Sequence, residues 1–119
     1  MIRDVTDLEV YQQSLDLMDK LYGFLKRIPI SEYDSVKQCK RCSKSIPANI
    51  AEGFAKKSSG AEFKRFLKIA LGSSDETITH LRTISIALPH LKVSAYELAN
   101  EYKTLSKRIN KLHQIWQSG

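Results

Sequence analysis

Apolar residues in this chain recur at steps of three and four, and few residues interrupt the pattern: Pro29, Gly53, Gly60 and Pro89 bound its long segments. That period puts side chains on one face of an α-helix, whereas a half-buried strand would alternate. Three Ser/Thr-x-x-Glu sequences, Thr6 with Glu9, Ser59 with Glu62 and Ser94 with Glu97, each open a periodic stretch. In such a capping box the hydroxyl accepts from a backbone N–H three residues on and the carboxylate reaches back. Four helices are predicted, at about 8–28, 32–54, 60–88 and 95–116. With short links and a single 119-residue domain, the fold class is all-α, an up-down-up-down antiparallel four-helix bundle.

The faces can be read helix by helix. In the first, Leu8, Tyr11, Leu15, Met18, Tyr22 and Leu25 form one stripe, and Val10, Leu17, Leu21, Phe24 and Ile28 form a second beside it. Together they are wider than one bundle core needs, so a partner surface is expected. Val36, Cys39, Ser43, Ile46 and Ile50 mark the inner side of the second helix, with a kink expected at Pro47. The third buries Phe63, Leu67, Ala70, Ser74, Ile78, Leu81, Ile84 and Leu88, and its mid-helix Gly72 is expected at a close helix contact. Leu98, Tyr102, Leu105, Ile109, Leu112 and Trp116 make a narrow seam on the fourth.

Charge is unevenly placed. The chain carries 19 Lys+Arg against 13 Asp+Glu, a net charge of +6. Residues 37–68 hold Lys37, Lys40, Arg41, Lys44, Lys56, Lys57, Lys64, Arg65 and Lys68 against only Glu52 and Glu62. The rest of the chain is close to neutral. The first four are spaced i, i+3, i+4, i+7, which makes one helix face. The others extend the patch around one end of the hairpin. A solvated face normally mixes signs, and clustered cations favour phosphate backbones through counterion release. These nine are the candidate nucleic-acid-binding residues. No base-reading module is visible, so contact with RNA or DNA is expected through the backbone, with little sequence preference.

Other chemistry is thinly represented. Cys39-x-x-Cys42 has redox and zinc spacing. It lies inside a helix rather than at an N-terminus, where a dipole would lower a thiol pKa. A zinc site would need two further ligands, and no His or Cys is near in sequence. Core packing is the reading taken. His80, His90 and His113 fall in no motif, and adjacent Asp75 and Glu76 read as surface carboxylates. No phosphate loop, nucleophile elbow or Glu-x-x-His pair occurs. No enzymatic activity, cofactor, metal or small-molecule substrate is expected. No apolar run approaches the ~18–20 residues that span a bilayer, and the opening Met1-Ile2-Arg3-Asp4 is no signal-peptide start. A cytoplasmic protein without membrane contact is expected.

The most distinctive stretch is Ser45-Ile46-Pro47-Ala48-Asn49-Ile50-Ala51-Glu52-Gly53-Phe54. Its residues read structurally, with Asn49 satisfying a carbonyl loosened by Pro47 and Glu52 pairing with Lys56. Together with Leu8-Glu9-Val10-Tyr11-Gln12, Phe63-Lys64-Arg65-Phe66-Leu67 and Ile69-Ala70-Leu71-Gly72-Ser73, followed by Glu76, it resembles the bacterial four-helix-bundle proteins encoded by intervening sequences of 23S rRNA genes. The resemblance covers nearly the whole chain. It implies an up-down bundle, for some members a ring-shaped homopentamer, with no established enzymatic activity and a suggested ribosomal association. Cys39 and Cys42 depart from the pattern, since members usually carry aliphatic or small residues there. The expectation is a homo-oligomeric bundle presenting a basic surface to RNA or another nucleic acid. The alternative is a protein-assembly scaffold or accessory factor with no direct nucleic-acid role.

Overall fold

The structure, a computed structural model, describes residues 2–116. It contains four long helices: α1 (Glu9–Leu25), α2 (Tyr33–Ala55), α3 (Gly60–Ala87) and α4 (Lys92–Ile115). No strand occurs among the described residues. The helices pack in the cyclic order α1, α2, α3, α4, with α1 also against α4, into a rod of 49 × 21 × 20 Å. Contacts between neighbours run in opposite senses. Arg41 meets Glu76 and Gly53 meets Phe66 across α2–α3. Lys20 meets Glu101 and Arg27 meets Ser94 across α1–α4. Ser74 reaches Tyr102 while Phe63 stacks edge-on against Trp116 beside α4. The pairs are antiparallel, as the short links require.

The predicted inner faces of α2, α3 and α4 are the observed ones in their central layers, while Val36, Leu88, Leu112 and Trp116 toward the helix ends are half-buried. Cys39, Ile46, Ile50, Phe63, Leu67, Leu81, Ile84, Tyr102, Leu105 and Ile109 are essentially inaccessible to solvent. Each apolar side chain buried this way contributes about 1.5–3 kcal/mol, and these central layers hold the bundle together. Pro47 does not end α2. Glu52 pairs with Lys56 at 3.4 Å, as expected. Asn49 Nδ2 donates to the Ser45 carbonyl at 2.8 Å and to Ser45 Oγ at 2.9 Å, whereas the carbonyl that Pro47 leaves without its helical N–H is that of Ser43, four residues before it.

Four expectations are corrected. In α1 the inward stripe is Val10, Ser14, Leu17, Leu21 and Phe24, together with Leu25. Tyr11, Met18 and Tyr22 are half-buried at its edge, and Leu15 is 42% exposed. A doubly apolar helix offers two phases, and packing against α2 and α4 selects one. Second, Gly72 is exposed, with open space where a Cβ would stand. The close contact is at Gly53, where a Cβ would come within 2.6 Å of Phe66 Cβ and 3.3 Å of the Phe63 carbonyl. Third, only Ser59 of the three capping residues caps a helix, accepting from the Glu62 N–H at 3.2 Å. Asp4 and Asp7 form a capping box on the 3-10 turn over Val5–Asp7, and α1 starts after Leu8 with no side-chain cap. Thr6 Oγ1 turns back to donate to Asp4. Fourth, α4 starts three residues early, since a 3-10 turn over Pro89–Leu91 feeds straight into it. Ser94 therefore lies inside the helix and accepts from Arg27 Nη1 at 3.1 Å.

Candidate nucleic-acid interface

The exposed side of α2 carries the most concentrated positive charge. Lys37, Lys40, Arg41 and Lys44 line one shallow groove with Tyr33 and Val36, and no carboxylate lines it. The groove follows from helix phase, because Cys39, Cys42, Ser43 and Ile46 occupy the opposite, buried side. Its two flanks engage different neighbours. Lys40 Nζ lies 5.3 Å from the centroid of the Tyr22 ring on α1, in cation–π contact. Arg41 turns the other way, pairing with Glu76 on α3 and donating from Nε to Gln38 Oε1 at 3.0 Å. The Arg41–Glu76 pair is substantially exposed. Such pairs contribute only about 0–1 kcal/mol, so Arg41 can exchange partners at little cost.

The five remaining predicted cations do not join this groove. Lys56, Lys57 and Arg65 sit at the α2–α3 turn and lie over aromatic faces there. Lys56 Nζ is 5.0 Å from the Phe66 centroid and Arg65 Cζ 4.4 Å from the same ring, while Lys57 Nζ is 4.3 Å from Phe54. Lys56 is paired with Glu52, and Arg65 with Glu62 at 2.8 Å. Lys64 and Lys68 face the opposite flank of the hairpin, toward α4. Burial and repulsion from these two lysines hold His113 below its ordinary pKa. The single patch read from the sequence is therefore three: the α2 groove, a partly neutralised hairpin end and an α3–α4 pair. Antiparallel neighbours turn their outer faces away from a shared seam, and α1 and α4 lie on opposite sides of it.

Sequence reasoning did not place Tyr33 in the groove, put Val36 on the inner side of α2, and missed the contact of Tyr22 with Lys40. The signal for Tyr33 was available, since it precedes Lys37 by one turn on the same helix face. Tyr22 comes from another helix and needed the packing.

The cysteines are packed in the core, as their helical phase suggests, but unequally. Cys39 faces the bundle interior, and burial pushes its thiol up to about 12. Cys42 lies at the α2–α3 seam. Its Sγ donates to the Gln38 carbonyl at 3.0 Å and stands 3.2 Å from Thr77 Oγ1. Burial raises its pKa as well, and the Thr77 hydrogen bond works in the other direction. The Cys42 thiol, the Glu76 carboxylate and the His80 imidazole bring ligand atoms within 4.8 Å of one another. Of this trio the sequence displays only the i, i+4 spacing of Glu76 and His80.

No helix among the described residues is long and apolar enough to cross a membrane. No curated protein matches the chain. The family model of the 23S rRNA-intervening sequence proteins matches residues 6–111, nearly the whole bundle from the turn before α1 to the last turns of α4, so the chain belongs to that family.

Proposed function

We propose that the protein is a non-enzymatic nucleic-acid-binding bundle that grips the phosphates of RNA, and secondarily of DNA, along the α2 groove. One observation carries the reading: four cations from two consecutive turns line a single groove whose lining holds no carboxylate, with Arg41 reaching out of it to Glu76. Lys and Arg so placed attract a phosphate backbone through counterion release. The groove offers no side chain set to read base edges, so contact is with the backbone and sequence preference is weak. The family's description refers to sequences within 23S rRNA, which makes a structured rRNA fragment the first ligand to try.

Self-association is part of the same proposal, and the exposed Leu15 beside half-buried Tyr11, Met18 and Tyr22 supports it. Several copies would multiply a weak groove by effective concentration. A scaffold without nucleic-acid contact would use this same apolar row and leave the α2 groove idle. Light scattering on Leu15→Glu tests the association, which should fall to monomer if the row is the contact.

The direct test is an anisotropy titration of fluorescent RNA and of duplex DNA at several salt concentrations. Reversing Lys37, Lys40 and Lys44 to Glu should weaken binding at least about tenfold at low salt. It should also flatten the slope of log K against log salt by about 2. Reversing Lys64 and Lys68 should have a much smaller effect. Affinity unchanged in the α2 triple variant, with its helicity intact, would overturn the proposal.

A further inference from the structure

We infer that Cys42, Glu76 and His80 form a binding site for a thiophilic divalent cation of the zinc type, built across the α2–α3 seam. The site adjoins the anion-binding groove, and Arg41, which lines that groove, pairs with Glu76 between the two. Thiolate sulfur, imidazole nitrogen and carboxylate oxygen are the three donor types that zinc takes in its tetrahedral sites. Glu76 and His80 are one turn apart on α3, and their Oε2 and Nε2 atoms are 3.4 Å apart. Zinc bonds of about 2.0–2.3 Å arranged tetrahedrally separate neighbouring ligand atoms by roughly 3.3–3.7 Å. That pair already stands at the required spacing. Cys42 faces them from α2, and the gap to its Sγ is at most 4.8 Å. Closing it takes a change of about 1 Å, available to the two α3 side chains because both are partly exposed, His80 by 24% and Glu76 by 41%.

The surroundings fit a bound cation. Cys42 is fully buried, while the α3 ligands reach solvent and leave both an entry path and a fourth position for water. Coordination forms the Sγ–metal bond as the Cys42 S–H proton leaves to bulk water. The contact from Cys42 to the Gln38 carbonyl is then given up. Thr77 Oγ1 lies 3.2 Å from Sγ and 2.9 Å from the Ser73 carbonyl, so its one proton can turn to the thiolate, as outer partners of metal-bound sulfur do. Arg41 competes for the carboxylate. It pairs with Glu76 at the rim, and a cation must either share that carboxylate with the guanidinium or displace it. Cys39 is not a ligand: it is absent from the trio and faces the apolar interior.

The test uses the full chain, stripped with a chelator and titrated with Zn(II) by calorimetry and with Co(II) by absorption. One equivalent should bind with micromolar or tighter affinity. Co(II) should give a sulfur-to-metal charge-transfer band, and the thermal midpoint should rise with metal concentration. Cys42→Ser and His80→Ala should each abolish the band and weaken zinc binding by at least about 100-fold, more than loss of an outer partner costs. Cys39→Ala should retain the band. Arg41→Gln should tighten binding roughly three- to tenfold by removing the competing charge. His80 lies at the rim, so His80→Ala keeps the test valid should Cys42→Ser fail to fold. The inference is overturned by absence of saturable one-to-one binding, by a band that survives His80→Ala, or by a band that depends on Cys39 instead of Cys42.

Discussion

The α2–α3 hairpin and the α1 helix are joined to the same core by different means. Across α2–α3 the backbones approach closely at Gly53, and polar groups meet in register. Ser45 Oγ lies 2.8 Å from Ser73 Oγ, Thr77 faces Cys42, and Arg41 meets Glu76. α1 is held by apolar burial of Leu17, Leu21, Phe24 and Leu25, with Lys20–Glu101 and Arg27–Ser94 contacts at the surface. Its Gly23 has open space around it, and Leu15 faces solvent. Apolar burial is non-directional and sets how strongly a helix docks. Hydrogen bonds and close backbone approach are directional and set its register. The hairpin is the specified half of the molecule, and α1 is the half with surface to spare.

The same substitution should have opposite signs in the two regions. Gly53→Ala forces a methyl group against Phe66 Cβ and the Phe63 backbone, and overpacking of this kind costs about 1–3 kcal/mol. Gly23→Ala meets nothing within 4 Å and should stabilise by about 0.5–1 kcal/mol through helix propensity. Urea denaturation of both variants measures the contrast, and equal effects would erase it. A smaller effect sharpens the hairpin side. Asn49→Ala removes the side-chain donor that serves both Ser45 acceptors below Pro47 and should cost about 1 kcal/mol.

The smallest effect concerns pH. Burial and then Lys64 and Lys68 lower the pKa of His113, so between its folded and unfolded values the unfolded chain holds more protons. Stability should therefore rise with pH through that window and decline as pH falls below about 6.5. His113→Gln should flatten that limb of a denaturation-midpoint profile, and an anion seated on Lys64 and Lys68 should do the same. An unaltered profile in the variant would place the pH dependence elsewhere.

Legibility followed the range of the interaction. The α2 strip of Lys37, Lys40, Arg41 and Lys44 was readable because helix geometry alone fixes which residues share a face. Lys64 and Lys68 were not, because their position depends on which flank of α3 receives α4. The caps misled at Thr6 and Ser94 for a related reason. A hydroxyl at the right spacing can be engaged elsewhere: Thr6 Oγ1 donates to Asp4, and Ser94 Oγ, inside α4, accepts from Arg27 across helices.

The sequence by itself determined four helices, their approximate ends and the basic face of α2, since periodicity, prolines and capping groups act within a few residues of where they stand. Tertiary structure alone decided which stripe of α1 turns inward, that Gly53 rather than Gly72 marks the close contact, and that Cys42 faces Glu76 and His80 from more than thirty residues away. These are matters of phase and register between helices, and only the packing of whole side chains against one another selects among the alternatives that local spacing leaves equal.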